Sequence, residues 1–173
     1  MKNFTLFVTA ATIAVASGSA AQAANTLYTQ AWNGTSDLYA TQNDSGPNGN
    51  FATLYDNFNL GTTSQVTGVN FVGGFFNPGT AGSITSFTLK VYADNAGQPG
   101  AAVYSTSVAG NAGETGCATV GGLPICNYSI ATNFVANAGT NYWLSLVPDL
   151  TPPPQWGWAV GTGGDGGVYQ DFF

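Results

Sequence analysis

From residue 26 onward the chain is a succession of short apolar or alternating segments, broken roughly every ten residues by Gly, Pro, Asn or Asp, and this punctuation constrains the fold more than any other feature. No segment sustains the i, i+3, i+4, i+7 apolar spacing of an amphipathic helix. A helix would also have to overcome a background rich in Gly, Thr and Asn, residues that disfavour it. The pattern predicts an all-β protein, an antiparallel β-sandwich of jelly-roll-like type, with strands over 26–32, 51–60, 66–76, 84–93, 101–109, 125–134, 141–147, 155–160 and 167–172. Segments 33–50 and 148–155, the latter with Pro152-Pro153-Pro154, are expected to be irregular connections.

Period-two alternation assigns faces. Phe87, Leu89 and Val91 share one side of their strand and should point inward, leaving Ser86, Thr88, Lys90 and Tyr92 outside. Val69, Phe71 and Phe75, Leu54, Phe58 and Leu60, and Leu144 and Leu146 complete the expected core by the same rule.

The first residues read differently. Met1 and Lys2 give a positive start, Phe4 to Val15 an apolar stretch, and Ser17 to Ala23 a run of small residues ending in Ala21-x-Ala23. That is the pattern of a secretory signal peptide over 1–23, expected as a helix and cut between Ala23 and Ala24, with 24–173 as a single β-sandwich domain. A domain of that size buries about 68–70% of its unfolded surface. No transmembrane anchor is expected in the mature chain, because no second long apolar run follows. Export places Cys117 and Cys126 in an oxidising compartment, so a local disulfide is the default reading, pinning a hairpin that turns near Gly121-Gly122-Leu123-Pro124.

Charge excludes whole function classes. Only 6% of residues are charged, and beyond Ala23 Lys90 stands alone against seven Asp and one Glu. A surface with one cation cannot neutralise a run of phosphates, so no nucleic-acid partner is expected. With no His and no Arg, a Ser-His-Asp triad, a Cys-His pair, a His-bound metal and an arginine clamp are all out of reach. Paired carboxylates would suffice for a glycan-active enzyme, but Glu114 is the sole Glu and the Asp residues are scattered among turns where Asp is common anyway. The chain is expected not to be an enzyme.

Four markers occur in order: Tyr55-Asp56-Asn57-Phe58; a hairpin from Val91-Tyr92-Ala93-Asp94 to Gln98-Pro99-Gly100; Gly139-Thr140-Asn141-Tyr142-Trp143-Leu144; and Trp156-Gly157-Trp158 followed by a glycine-rich loop. Their succession over roughly residues 50–172 resembles the secreted β-sandwich module of bacterial surface and matrix proteins that carry PEP-CTERM or related interchangeable C-terminal anchors. The resemblance implies an exported Gram-negative protein, a jelly-roll-like or related sandwich, and a role at the cell surface or in extracellular matrix, mostly without defined activity. The sequence itself contains no Pro-Glu-Pro motif, terminal apolar span or Arg cluster.

Two ligand readings follow from the residues. Trp156 and Trp158, two apart on a strand, project to one face, and with Asp165 and Tyr169 nearby they would suit a sugar platform of a carbohydrate-binding module. Packing of both indoles into the sandwich under the glycine loop is the plainer alternative. No cofactor is needed, although oxygen-rich loops suit calcium, with Asp44 and Asp165 as candidate ligands. The expected role is non-catalytic display outside the cell, with polysaccharide or neighbouring surface proteins as partners.

Overall fold

The computed structural model describes residues 3–4, 6–10, 25–46 and 51–172. In chain order the strands are β1 (Asn3–Phe4), β2 (Leu6–Ala10), β3 (Asn25–Thr29), β4 (Ala31–Trp32), β5 (Leu38–Ala40), β6 (Asn43–Asp44), β7 (Ala52–Asn59), β8 (Ser64–Phe76), β9 (Ile84–Asp94), β10 (Pro99–Ala109), β11 (Thr115–Val120), β12 (Leu123–Ala136), β13 (Asn141–Leu150), β14 (Gln155–Thr162) and β15 (Val168–Phe172). No helix occurs among the described residues, and none is therefore long and apolar enough to cross a membrane.

The strands build two sheets packed face to face, the β-sandwich that the alternation predicts. The first runs β1-β14-β8-β12-β11, with β2 on β8, β3 on β2, and β4 and β5 on β14. The second runs β10-β9-β13-β7-β15, with β6 on β13. Pairing is antiparallel except for β6 and β13.

Core faces follow the period of two. Phe87 and Leu89 from the second sheet and Phe71, Ile130, Trp156 and Trp158 from the first are all at most 1% exposed. Phe87 is the hub, its ring lying 5.5 Å from Phe71, 5.4 Å from Tyr128 and 5.3 Å from Trp156, centre to centre. Edge-on and tilted contacts of this kind add to the plain burial of area. Gly73 makes the packing possible: a Cβ there would stand 2.2 Å from Cζ2 of Trp156. A smaller cluster of Val72, Ile125 and Ala159 lies apart from this core, with Trp32, Leu38, Val120 and Leu123 packed on it.

Several expectations change. The apolar stretch near the N-terminus was expected as helix, but its described part is strand: Leu6–Ala10 pairs with Gly68 to Phe71 of β8 on one side and with β3 on the other. Phe, Val and Thr in that segment suit a pleated backbone, and an open edge of β8 offers hydrogen bonds that a lone helix would not gain. The expected cleavage point at Ala23 and Ala24 lies outside the described residues. Segment 33–50 is not wholly irregular, because Leu38–Ala40 adds to β14 and Asn43–Asp44 adds to β13. Strand β13 runs on to Leu150, past the expected end at 147, and β11 is the first arm of the hairpin expected around Cys117 and Cys126, a segment given no strand range of its own in the pattern. The extension of β13 comes with its pairing to β9 and β6 rather than from local sequence.

Cys117 and Cys126 are joined, with Cα atoms 4.1 Å apart, across the hairpin of β11 and β12. The chain reverses at Gly121 and Gly122, both at positive φ. Replacing both cysteines by serine is expected to lower stability by about 2–3 kcal/mol, the loop-closure value for so short a loop. A thermal melt should show this as a midpoint lower by about 5–10 °C.

Candidate functional site

The second sheet presents its outer face as a groove of about 320 Å³. Strand register builds it. Lys90, Ser145 and Tyr55 lie side by side across β9, β13 and β7, and Tyr92, Trp143 and Asn57 form the adjacent row. Asp149 and Asn43 close one end, where β6 meets β13. The alternation that sent Phe87, Leu89 and Val91 inward also left Thr88, Lys90 and Tyr92 here, half-buried.

Hydrogen bonds hold these side chains in place. Asp149 accepts from the Asn43 amide through Oδ1 and from the Ser86 hydroxyl through Oδ2. The Tyr92 hydroxyl lies 3.4 Å from Ser145 Oγ, and Tyr55 donates to Asp171 over 3.3 Å. The Tyr55 and Tyr92 rings meet edge to face at 5.2 Å, and Tyr169 meets Tyr55 at 6.0 Å. Burial, with help from Tyr92 and Asp171, pushes the Tyr55 hydroxyl well above the ordinary phenol range, so it remains a donor. Trp143 gives its indole N–H to Asp94 at 2.8 Å, fastening the β9–β10 turn beside the groove.

The arrangement offers aromatic edges, fixed hydroxyls, an amide and a single cation. Asp149 is the one carboxylate among the residues lining the groove, and two partners already occupy it. Acid–base cleavage of a glycosidic bond needs a second carboxylate across the cleft. Holding a polyhydroxylated ligand needs only what is present.

The expected site residues are distributed elsewhere. Trp156 and Trp158 share a face as spacing required, but both are fully buried, so they make no sugar platform. The same pleat that puts them together points them into the core, and Gly73 opens room for Trp156. Tyr169 is half-buried on the β15 edge and reaches the groove only through Tyr55. Asp165 lies on the exposed glycine loop, away from the groove. The two calcium candidates do not meet: Asp44 sits beside the Leu150 end of β13, whereas Asp165 lies by Asn57, next to the Asn141 end. Asp44 Oδ1 accepts from the Gly46 N–H at 2.7 Å, ordinary turn chemistry. Residues 47–50 of that loop lie outside the described residues.

Sequence reasoning missed two things. It named Lys90 and Tyr92 as outward-facing without seeing that Tyr55, Ser145 and Asn43 join them. It also passed over Asp56, which lies between Leu54 and Phe58 on their inward face and is 2% exposed. Burial pushes its carboxyl up to about 8, with Asp165 adding to the shift and bonds from Gln30 and the Asn57 backbone opposing it. One further cluster, Glu114 beside Cys117 and Cys126, has spent both sulfurs on the disulfide, and Glu114 accepts from the Tyr128 hydroxyl at 2.8 Å.

No protein-family model, curated protein or solved structure matches the chain. Fold and site together define an antiparallel β-sandwich with a disulfide-pinned hairpin and a polar, aromatic groove on one outer face.

Proposed function

We propose that this protein is a non-catalytic β-sandwich of the cell exterior that binds saccharide chains of the surface or matrix along the outer face of its second sheet. The observation that carries this reading is the groove itself, where Tyr92 and Tyr55 stand beside Lys90, Ser145, Asn43 and Asp149. Sugars present apolar ring faces and fans of hydroxyls, and an aromatic flank with pre-set donors and acceptors suits both. A disulfide and the absence of a long apolar helix among the described residues are compatible with an extracellular setting. The signal-peptide pattern and the likeness to PEP-CTERM-type surface modules point the same way.

Tyr92→Ala and Lys90→Ala are expected to abolish retention of the protein on a glycan array while leaving its thermal midpoint within a few degrees of wild type. Wild-type protein that retains no glycan, or variants that bind as well as wild type, would overturn the reading.

A further inference from the structure

Lys90 is the one cationic side chain beyond residue 23, and it stands half-buried among the residues that line the groove. It forms no ion pair with any of the eight side-chain carboxylates, all of which lie among the described residues. Strand register keeps the carboxylates of this face away from it. Asp149 lies across from Ser86, four residues along β9 and so about 13 Å off, and Asp94 lies four residues the other way. Asp171 stands on β15, three strands over. Each is also engaged: Asp149 by Asn43 and Ser86, Asp94 by the Trp143 indole and Asp171 by the Tyr55 hydroxyl. A charge partly withdrawn from water with no opposite charge beside it is held at a cost.

The neighbours of Lys90 are donors. Ser145 lies next to it on β13 and is 1% exposed, and its hydroxyl is 3.4 Å from that of Tyr92. Two hydroxyls joined by one hydrogen bond use one proton between them and leave the other free to donate. An ammonium and a spare hydroxyl proton on one patch of the groove are what an oxyanion takes. The rest of the surface restricts which oxyanion. One cation against eight carboxylates repels a densely charged chain, so the fitting ligand carries isolated acid groups among neutral, hydroxyl-rich rings.

Building on the saccharide reading of the groove, we infer that its ligand is an acidic saccharide, whose carboxylate or sulfate group seats on Lys90 and takes a second bond from the Tyr92 and Ser145 hydroxyl pair. Lys90 then sets specificity, selecting the charged chain over its neutral counterpart, while the Tyr92 and Tyr55 rings flank the adjoining sugar.

The test reads the full chain on an array of matched pairs: oligogalacturonate beside its methyl ester, and galactan oligosaccharides beside their sulfate esters. The acidic member of one pair is expected to be held at least about tenfold more tightly than its neutral partner, and the pair that shows this identifies the group as carboxylate or sulfate. Raising sodium chloride from about 50 to about 500 mM should weaken the acidic member severalfold and change the neutral one by less than about twofold. Lys90→Gln should bring the preference down to about one, and Lys90→Arg, which keeps the charge, should preserve it. Acidic and neutral members held alike by wild type would overturn the inference and leave the saccharide reading in place, as would a preference that survives Lys90→Gln. Retention of no glycan at all by wild type would overturn both.

Discussion

Trp156→Ala should cost about 3–5 kcal/mol of folding free energy, the range for removing a fully enclosed aromatic. The indole is 0% exposed and its ring centre lies 5.3 Å from Phe87, 5.6 Å from Tyr128 and 6.3 Å from Phe71. Its N–H also donates to the Tyr128 hydroxyl at 3.3 Å, and that hydroxyl in turn donates to Glu114. Truncation therefore leaves both a void between the sheets and a hydroxyl that has lost a donor. Domains of this size hold about 5–15 kcal/mol in all, so the variant should be close to unfolding at 37 °C. Urea titration is the measurement, with the midpoint expected to fall at an unchanged slope. A loss below about 1 kcal/mol would place the indole outside the core.

Stability should fall as pH rises from about 4 to about 8, because of Asp56. Its folded-state value is pushed up to about 8 by burial, against an ordinary 3.8. Below the ordinary value both folded and unfolded chains carry the proton, and the full stability is present. Between the two values the unfolded chain releases the proton and the folded chain keeps it, so each pH unit removes up to about 1.4 kcal/mol. Above the higher value the loss is complete and levels off, at a few kcal/mol. Asp56→Asn removes the titration and should flatten this slope. Denaturant titrations at pH 5 and pH 8 on both proteins measure the difference, and equal slopes in the two would remove Asp56 as its source.

The architecture was legible where one face of a strand meets the core. Phe87, Leu89, Val91, Leu144 and Leu146 are buried as alternation assigned them, because a strand with one oily side has a single way to lie on a sandwich. The same rule contained the position of Asp56 between Leu54 and Phe58, but an acidic residue in a strand is more readily taken for surface. Gln30 was not legible at all, since it sits between β3 and β4 and its burial comes from the distant loop at Gly164. For Trp156 and Trp158, spacing fixed their shared face and said nothing about which side of the sheet that face was. The groove was half legible: β9 alone implied Lys90 and Tyr92, whereas Tyr55 and Ser145 join them through pairings among β7, β9 and β13 that no local pattern encodes. Strands β5 and β6 illustrate the same limit, being short segments recruited by edges already in place.

The outermost strand of the second sheet, β10, runs for 11 residues with Val103 half exposed, a long margin of main-chain donors and acceptors. Proteins commonly guard such margins with lysine, which this chain lacks there. Its register against β9 slips twice, between Pro99 and Ala102 and again between Ala102 and Tyr104. Each slip bends and twists the ribbon at its Pro99 end, so a second molecule approaching there meets a warped border, while Tyr104 to Ala109 keeps a regular register. At that end shape, in place of repulsion, works against edge-to-edge pairing.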